Sequence, residues 1–150
     1  MSDNLFTDGR KTTMMGEIRF LRGWYMFDLL RMFGEYDKLD SKYGMIIRET
    51  PPTSDDVYKA RSTVQQTYDF ILKDIEYAIS NAPDFTSSDF ASKMAAKALK
   101  VKVLFYMGKY SEALEAANTF IGDGERALVA PYSAVFTDFS NQELIYTRGF

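Results

Sequence analysis

The 150-residue sequence contains no cysteine and no histidine. Without cysteine there can be no disulfide, thiolate nucleophile or thiolate metal site, and cysteine usage says nothing about the redox compartment. Without histidine, imidazole zinc sites, Ser-His-Asp and Cys-His arrangements and the commonest general base near neutral pH are excluded. We therefore expect a protein that is not an enzyme, with no metal, no cofactor and no catalytic residues.

Long apolar runs are also missing. No uncharged stretch reaches the roughly 18 residues that a transmembrane helix needs. A secretory signal has a basic region followed by an apolar core. The first ten residues, Met1 to Arg10, do not have this pattern. Taken alone, the sequence predicts neither export by such a signal nor insertion into a membrane.

Basic residues do not dominate the composition. The chain has 18 Lys and Arg against 21 Asp and Glu, a net charge of -3 and a pI near 5.0. A nucleic-acid binder needs a basic face for phosphate contacts, so nucleic acid is not an expected partner. With 46% hydrophobic and 26% charged residues, the composition is ordinary for one globular domain with a real core.

An aromatic helix is the most informative feature that is present. From Glu17 to Gly34, large apolar side chains occupy nearly every angle of a helix. Since a surface helix needs only one apolar stripe, we predict a helix over about residues 12–33 that is buried on several sides and ends at Gly34. Two stripes at helical spacing are expected to face two layers. One comprises Ile18, Leu21, Tyr25, Leu29 and Met32, and the other Phe20, Trp24, Phe27 and Leu30.

Asp28 lies on this helix between apolar neighbours one turn away on either side. A buried carboxylate must be paired or hydrogen-bonded. Arg31, three residues further on, is within reach. We therefore predict a structural ion pair between Asp28 and Arg31, and no spacing singles out the acid and base of a hydrolase.

The connection over residues 35–61 is unusually long for a compact domain, and such connections are often functional. Aromatic ring faces stack on the apolar faces of sugars, and polar groups beside them bind hydroxyls. We therefore select Tyr36, Asp37 and Tyr43 as candidate ligand-contact residues. The alternative is that these tyrosines cap an edge of the core. The apolar run at residues 45–47 indicates a brief strand.

A second helix is predicted over about residues 62–81. Ser62 and Gln65 have the spacing of a capping box, and Pro83 stops the helix. Its buried face at helical spacing is expected to comprise Val64, Tyr68, Ile71, Leu72, Ile75, Ala78 and Ile79.

A helical hairpin over about residues 92–121 matches part of a tetratricopeptide repeat. Gly108 permits the tight turn, Tyr110 is expected to pack into the angle between the helices, and Ala113 lets the helices approach closely. Lys97 and Lys100 stand where the repeat usually has apolar residues, so the repeat is imperfect.

The tail over residues 122–150 is predicted to be irregular. Tyr132 to Phe136 indicates one helical turn, and Leu144 to Tyr146 indicates a short strand in need of a partner.

Four blocks in one order resemble the SusD/RagB family of outer-membrane glycan-binding lipoproteins. The first opens with the pattern E-x-R-F-L-R and closes with Phe-Gly, and the third is an alanine-rich helix that leads into the tetratricopeptide turn. The sequence departs from the family at residues 35–37, where members usually have a small residue and Val-Pro. The blocks are Glu17 to Gly34, Arg61 to Ile79, Ala95 to Gly108, and Tyr132 to Phe136 with Glu143 to Ile145.

The resemblance implies a mainly α fold, in which tetratricopeptide-like helical hairpins form a scaffold with a short irregular or β tail, as a single partial domain over residues 1–150. It implies non-catalytic glycan binding and nutrient uptake at the outer membrane and cell surface, together with a TonB-dependent transporter. Complete members are several times longer and begin with a lipoprotein signal and a lipidated cysteine. The chain is therefore expected to be an internal or truncated piece.

One alternative function stays open. A generic tetratricopeptide-like adaptor would bind a protein helix or peptide in its groove.

Overall fold

The computed structural model describes residues 9–54, 57–124, 126–138 and 141–147. No strand occurs among them, so the predicted mainly α class is confirmed, while the strands predicted at residues 45–47 and 144–146 are wrong. The helices in this part of the chain are α1 (Arg10–Phe33), α2 (Val64–Asn81), α3 (Lys93–Tyr106), α4 (Tyr110–Gly122) and the short α5 (Ala134–Thr137).

The first four helices run alternately up and down, and each packs mainly against the next. Arg22 in the middle of α1 bonds to Asp74 in α2, and an ion pair of 2.6 Å joins Glu76 in α2 to Lys100 in α3. This stacking of consecutive antiparallel helices is the tetratricopeptide-like arrangement that the sequence predicts.

The core lies between α1, α2 and α3. Only one side of α1 contributes to it: Phe20, Phe27 and Leu30 are fully buried, while the opposite side is exposed. The expectation that two layers cover α1 is therefore wrong for the described residues. The largest fully buried apolar side chains are Phe20, Phe27, Leu30, Val64, Tyr68, Ile71, Ile75 and Val103.

Close contact between α1 and α2 depends on a glycine. A Cβ atom added at Gly16 would lie 2.7 Å from the Cα of Ala82. Since real Cβ contacts essentially never come that close, the absent side chain lets the start of α1 lie directly against the end of α2.

A capping box starts α2, one residue later than predicted. The Thr63 hydroxyl accepts from the Gln66 N–H at 3.1 Å, and the Gln66 side chain accepts from the Thr63 N–H at 2.9 Å. Ser62 is not the cap because its own backbone is engaged elsewhere. Its N–H donates to the carbonyl of Met45 and its carbonyl accepts from Gly44.

The hairpin of α3 and α4 turns at Gly108, whose φ of +75° is costly for other residues. Ala113 is buried between the helices. Tyr110, in contrast, is 63% exposed, and its ring meets that of Phe105 at 5.4 Å on the outside of the hairpin. It does not fill the angle between the helices, because Phe105 is itself exposed.

The two lysines that depart from the repeat pattern each find an acidic partner. Lys97 forms an ion pair with Asp123 at 2.5 Å, and Lys100 pairs with Glu76. The lysines thus link α3 to its neighbours on both sides, which explains how charge is accommodated at these positions.

The tail packs back on the helices without forming a strand. The ring of Tyr146 meets Phe20 at 5.0 Å and Trp24 at 5.3 Å, and the N–H of Thr147 donates to the carbonyl of Ser88. The backbone of Leu144 bonds to Asn141 and to the Arg126 side chain, so it has no neighbouring strand to pair with.

Candidate functional site

The loop at residues 34–45 carries all three predicted ligand-contact residues, and backbone hydrogen bonds fix it on the start of α2. The N–H groups of Val64 and Gln65, free in an isolated helix end, donate to the carbonyls of Ser41 (2.9 Å) and Leu39 (3.1 Å). Across the loop itself, the Glu35 N–H donates to the Tyr43 carbonyl at 3.2 Å. The loop therefore has a defined shape.

Arg61 closes the base of this loop. Its Nε donates to the carbonyl of Gly44 at 2.7 Å and its Nη2 to the carbonyl of Phe33 at 2.6 Å. The Phe33 carbonyl lies in the last turn of α1 and therefore has no hydrogen-bond partner within the helix. One guanidinium thus joins the end of α1 to the end of the loop.

Tyr36 faces inward. Its ring lies 5.6 Å from that of Tyr106 in α3, and its carbonyl accepts a hydrogen bond from the Tyr68 hydroxyl at 3.0 Å. Burial raises the pKa of Tyr68, so this hydroxyl stays protonated and donates. Tyr36 is half-buried and caps an edge of the core, which was the alternative interpretation of its position.

Tyr43 and Asp37 face outward. Tyr43 is 47% exposed, the Lys42 ammonium lies 5.4 Å from its ring centre, and Asp37 is exposed. A partly accessible ring with polar side chains on the same loop has the chemistry needed to stack on a sugar and bind its hydroxyls. The structure thus separates the three predicted residues into one that faces the core and two that face solvent.

The shape of the loop also depends on Glu35. The Ser41 hydroxyl donates to its carboxylate at 2.7 Å, and Lys38 lies 3.5 Å away. The Ser41 hydrogen bond, helped by Lys38, lowers the pKa of Glu35. The carboxylate is held ionised as part of the loop scaffold.

Asp28 and Arg31 lie 3.3 Å apart, and both are about one-third exposed. The fully buried carboxylate is instead Asp74 in α2, which accepts two hydrogen bonds from Arg22 at 2.6 and 2.8 Å. The Asp74 hydrogen bond raises the pKa of Arg22. The sequence feature that could have predicted this burial is the position of Asp74 on the apolar face of α2, next to Ile75.

A cavity of about 420 Å³ lies where the tail meets the hairpin, and no sequence pattern indicated it. Two tail residues that border it are fixed by backbone groups: Arg126 donates to the carbonyls of Asn141 (2.9 Å) and Leu144 (2.8 Å), and Glu143 accepts from the N–H of Val129 at 2.8 Å. The Arg126 Nε is buried with no hydrogen-bond partner among the described residues, while most of the cavity lining is apolar. Its apolar lining comprises Met94, Phe120, Ile121, Ala127, Leu128 and Ile145.

Among residues 9–54, 57–124, 126–138 and 141–147, no cluster of acidic side chains is placed to hold a metal ion. None of the helices in these ranges combines the length and apolar character needed to cross a bilayer.

The chain is similar in sequence to known proteins of one family. A sequence model of the SusD-like family, described as starch-binding and associating with the outer membrane, matches residues 2–105. A SusD-like protein of Formosa agariphila is 29% identical over 135 residues, which are 90% of this chain and 25% of that protein.

The fold is also similar to solved structures of SusD-like proteins. A SusD-like protein from Bacteroides fragilis NCTC 9343 superposes with a TM-score of 0.82 at 26% identity, covering 97% of this chain and 29% of that one. A SusD superfamily protein from Bacteroides thetaiotaomicron VPI-5482 gives a TM-score of 0.73 at 31% identity, covering 90% and 29%. The chain thus spans less than one-third of the length of these relatives.

Proposed function

Because the chain belongs to the SusD-like family, whose members are described as starch-binding and associating with the outer membrane, we propose that it is the helical scaffold of a non-catalytic glycan-binding protein. That protein captures oligosaccharide or polysaccharide at the cell surface and passes it to a TonB-dependent transporter for nutrient uptake. The family match over residues 2–105 is the observation that carries this proposal.

The loop at residues 34–45 supports it. Tyr43 presents an accessible ring on a backbone that hydrogen bonds hold to α2, and Asp37 supplies an exposed carboxylate on the same loop. A preformed platform binds sugar with little loss of conformational entropy. We therefore assign first contact with glycan to Tyr43 and Asp37, and a supporting role to Tyr36.

Affinity electrophoresis in gels that contain starch or one of a panel of other polysaccharides tests this assignment. The unmodified chain should be retarded by at least one polysaccharide. Tyr43→Ala should weaken the dissociation constant about two- to tenfold, because a ring stack contributes about 0.5–1.5 kcal/mol. Retardation that is equal for Tyr43→Ala and the unmodified chain would remove Tyr43 from the site.

Tyr58→Ala is the matched control, since Tyr58 lies in the same connection and is 100% exposed. It should leave retardation unchanged. The transporter is tested separately, by purifying the protein from detergent-extracted outer membranes. Recovery without a TonB-dependent transporter would refute that part of the proposal.

The tetratricopeptide-like adaptor is the second candidate, favoured by a groove of about 340 Å³ across α2, α3 and α4. Glu76, Glu112 and Glu115 from α2 and α4 line it, together with Lys97 and Lys100 from α3. Lys100 is paired with Glu76, so the groove carries a small excess of acidic groups. A groove of this kind would suit a basic peptide. No retardation by any polysaccharide, together with saturable binding of a basic peptide, would favour this function.

A further inference from the structure

One side of α1 is apolar and exposed. We call Ile18, Tyr25, Leu29 and Met32 the α1 outer face. We propose that this face is a packing surface for the additional polypeptide that the longer SusD-like relatives carry, so that α1 is enclosed from both sides in a complete protein.

The exposure of these side chains is the first argument. Met32 is 70% exposed, Ile18 52% and Leu29 43%. A helix that buries a single face normally places polar residues on the other side, because apolar groups in water cost free energy. Contiguous exposed apolar area of this kind marks an interaction surface.

The geometry of the helix is the second argument. With 100° between successive residues, the α1 outer face lies opposite the side on which Phe20 and Phe27 enter the core. From Ile18 to Met32 it extends about 21 Å at 1.5 Å per residue. A surface of this length and position suits a packed layer, as in the interior of a larger domain.

The relatives indicate what covers the face. The Bacteroides fragilis protein superposes on 97% of this chain, which accounts for only 29% of its own length. More than two-thirds of that relative therefore lies outside the matched part. Contact within one polypeptide can be almost wholly apolar, whereas a sugar site needs several converging polar groups. The side chains of Ile18, Leu29 and Met32 offer no such groups.

Thiol labelling tests the proposal, because the chain has no cysteine of its own. Met32→Cys introduces a single thiol, whose reaction rate with a maleimide is measured in the isolated chain. It is also measured in a cysteine-free chimera in which the chain replaces the matched part of the Bacteroides fragilis protein. Burial by the remaining polypeptide should slow labelling by about tenfold or more in the chimera.

Ala78→Cys is the control for folding, since Ala78 is fully buried in α2. It should react slowly in both proteins. If the chimera does not fold, the same measurement is made on the Bacteroides fragilis protein with a cysteine at the position superposed on Met32. Slow labelling there supports the proposal and fast labelling overturns it.

Other occupants would give different results. Equal labelling in the isolated chain and the folded chimera overturns the proposal. Slow labelling in the isolated chain, with twice the monomer mass in light scattering, assigns the face to a second copy of the chain and also overturns it. Protection of the isolated chain by added starch would make the face a sugar site, with the same consequence.

Discussion

At the scale of single residues, one buried ion pair stands out. Asp74 is fully buried and its two carboxylate oxygens are bonded by Arg22. Asp28 and Arg31 form a pair of the same charges that is about one-third exposed. The two pairs allow the effect of burial to be measured within one molecule.

Arg22→Ala should lower the free energy of unfolding by about 3–5 kcal/mol, because it leaves the fully buried Asp74 carboxylate without its partner. Asp28→Ala should cost less, about 1 kcal/mol or below, because the Arg31 charge that it leaves behind is about one-third exposed and remains in contact with water. Urea unfolding followed by circular dichroism measures both. Equal costs for the two variants would contradict the structural difference between the pairs.

The Glu35 carboxyl should make the loop sensitive to acid. Its pKa is lowered in the folded state, so the stabilisation is present above its ordinary value of 4.5 and is lost as the pH falls through the lowered value. Ser41→Ala should raise the pKa of Glu35 toward 4.5, since the Ser41 hydrogen bond is the main cause. Carboxyl titration by NMR measures this.

Lys38→Gln serves as the comparison, because Lys38 also lowers the pKa of Glu35, through its charge and a hydrogen bond. This variant should likewise raise the pKa of Glu35. A Glu35 pKa that is unchanged in Ser41→Ala would show that the hydroxyl does not hold the carboxylate in solution.

Residue roles were the hardest feature to predict. The apolar neighbours of Asp28 one turn away suggested burial, yet those neighbours include the outward-facing Met32. Asp74, in the buried face of α2, carried the stronger signal. Sequence spacing shows which residues share a helix face, but the packing partner decides whether that face is buried.

At the scale of elements, two glycines in helices should respond oppositely to the same substitution. Gly16→Ala should destabilise the protein, because the new Cβ would overlap the backbone of Ala82 and force α1 away from α2. Gly122→Ala should be neutral or stabilise by up to about 1 kcal/mol, because alanine favours the helix and nothing lies within 4 Å of its added Cβ.

Thermal unfolding of the two variants measures the difference. If both substitutions stabilised the protein, α1 and α2 would not approach closely at Gly16. Destabilisation by Gly122→Ala would instead indicate a contact at the end of α4.

Helices were predicted well because their signals are local. The apolar periodicity of α2 and the glycine after α3 depend on neighbours within one or two turns. The strand predicted at residues 45–47 was wrong because a strand depends on a distant partner. Among the described residues, the Met45 carbonyl accepts from the Ser62 N–H and the Met45 N–H donates to the Thr67 hydroxyl, which leaves a single paired position.

At the scale of the whole molecule, residues 57–61 in the connection between α1 and α2 form an exposed segment. Tyr58 is 100% exposed and Lys59 beside it is also exposed, whereas α1 and α2 pack closely. Limited trypsin digestion should therefore cut first after Lys59. The two products should still elute together in gel filtration, because the packing of α1 on α2 does not need the connection.

Mass spectrometry of early digestion products identifies the cut, and Lys59→Gln is the control that should slow it. Early cleavage inside α1, α2 or α3 would contradict the stacked arrangement. Products that separate without denaturant would show that α1 depends on its covalent link.

The burial of α1 on one side is also a property of the whole molecule. The apolar residues all around α1 predicted that the helix is buried on several sides. In the part of the chain that the structure describes, only one side of α1 is buried. The proposed packing of further polypeptide on the α1 outer face would account for this difference. Sequence therefore indicates how much of a helix needs covering, while only the whole molecule shows what covers it.

The packing of Tyr146 on Phe20 and Trp24 has a kinetic consequence. It joins the tail to the first helix across most of the chain, so closing it costs about 1 kcal/mol more chain entropy than pairing two consecutive helices. During synthesis α1 leaves the ribosome long before Tyr146 does, and α1 to α3 can pair in the meantime. We therefore expect the tail to dock last during folding and to be released first during unfolding.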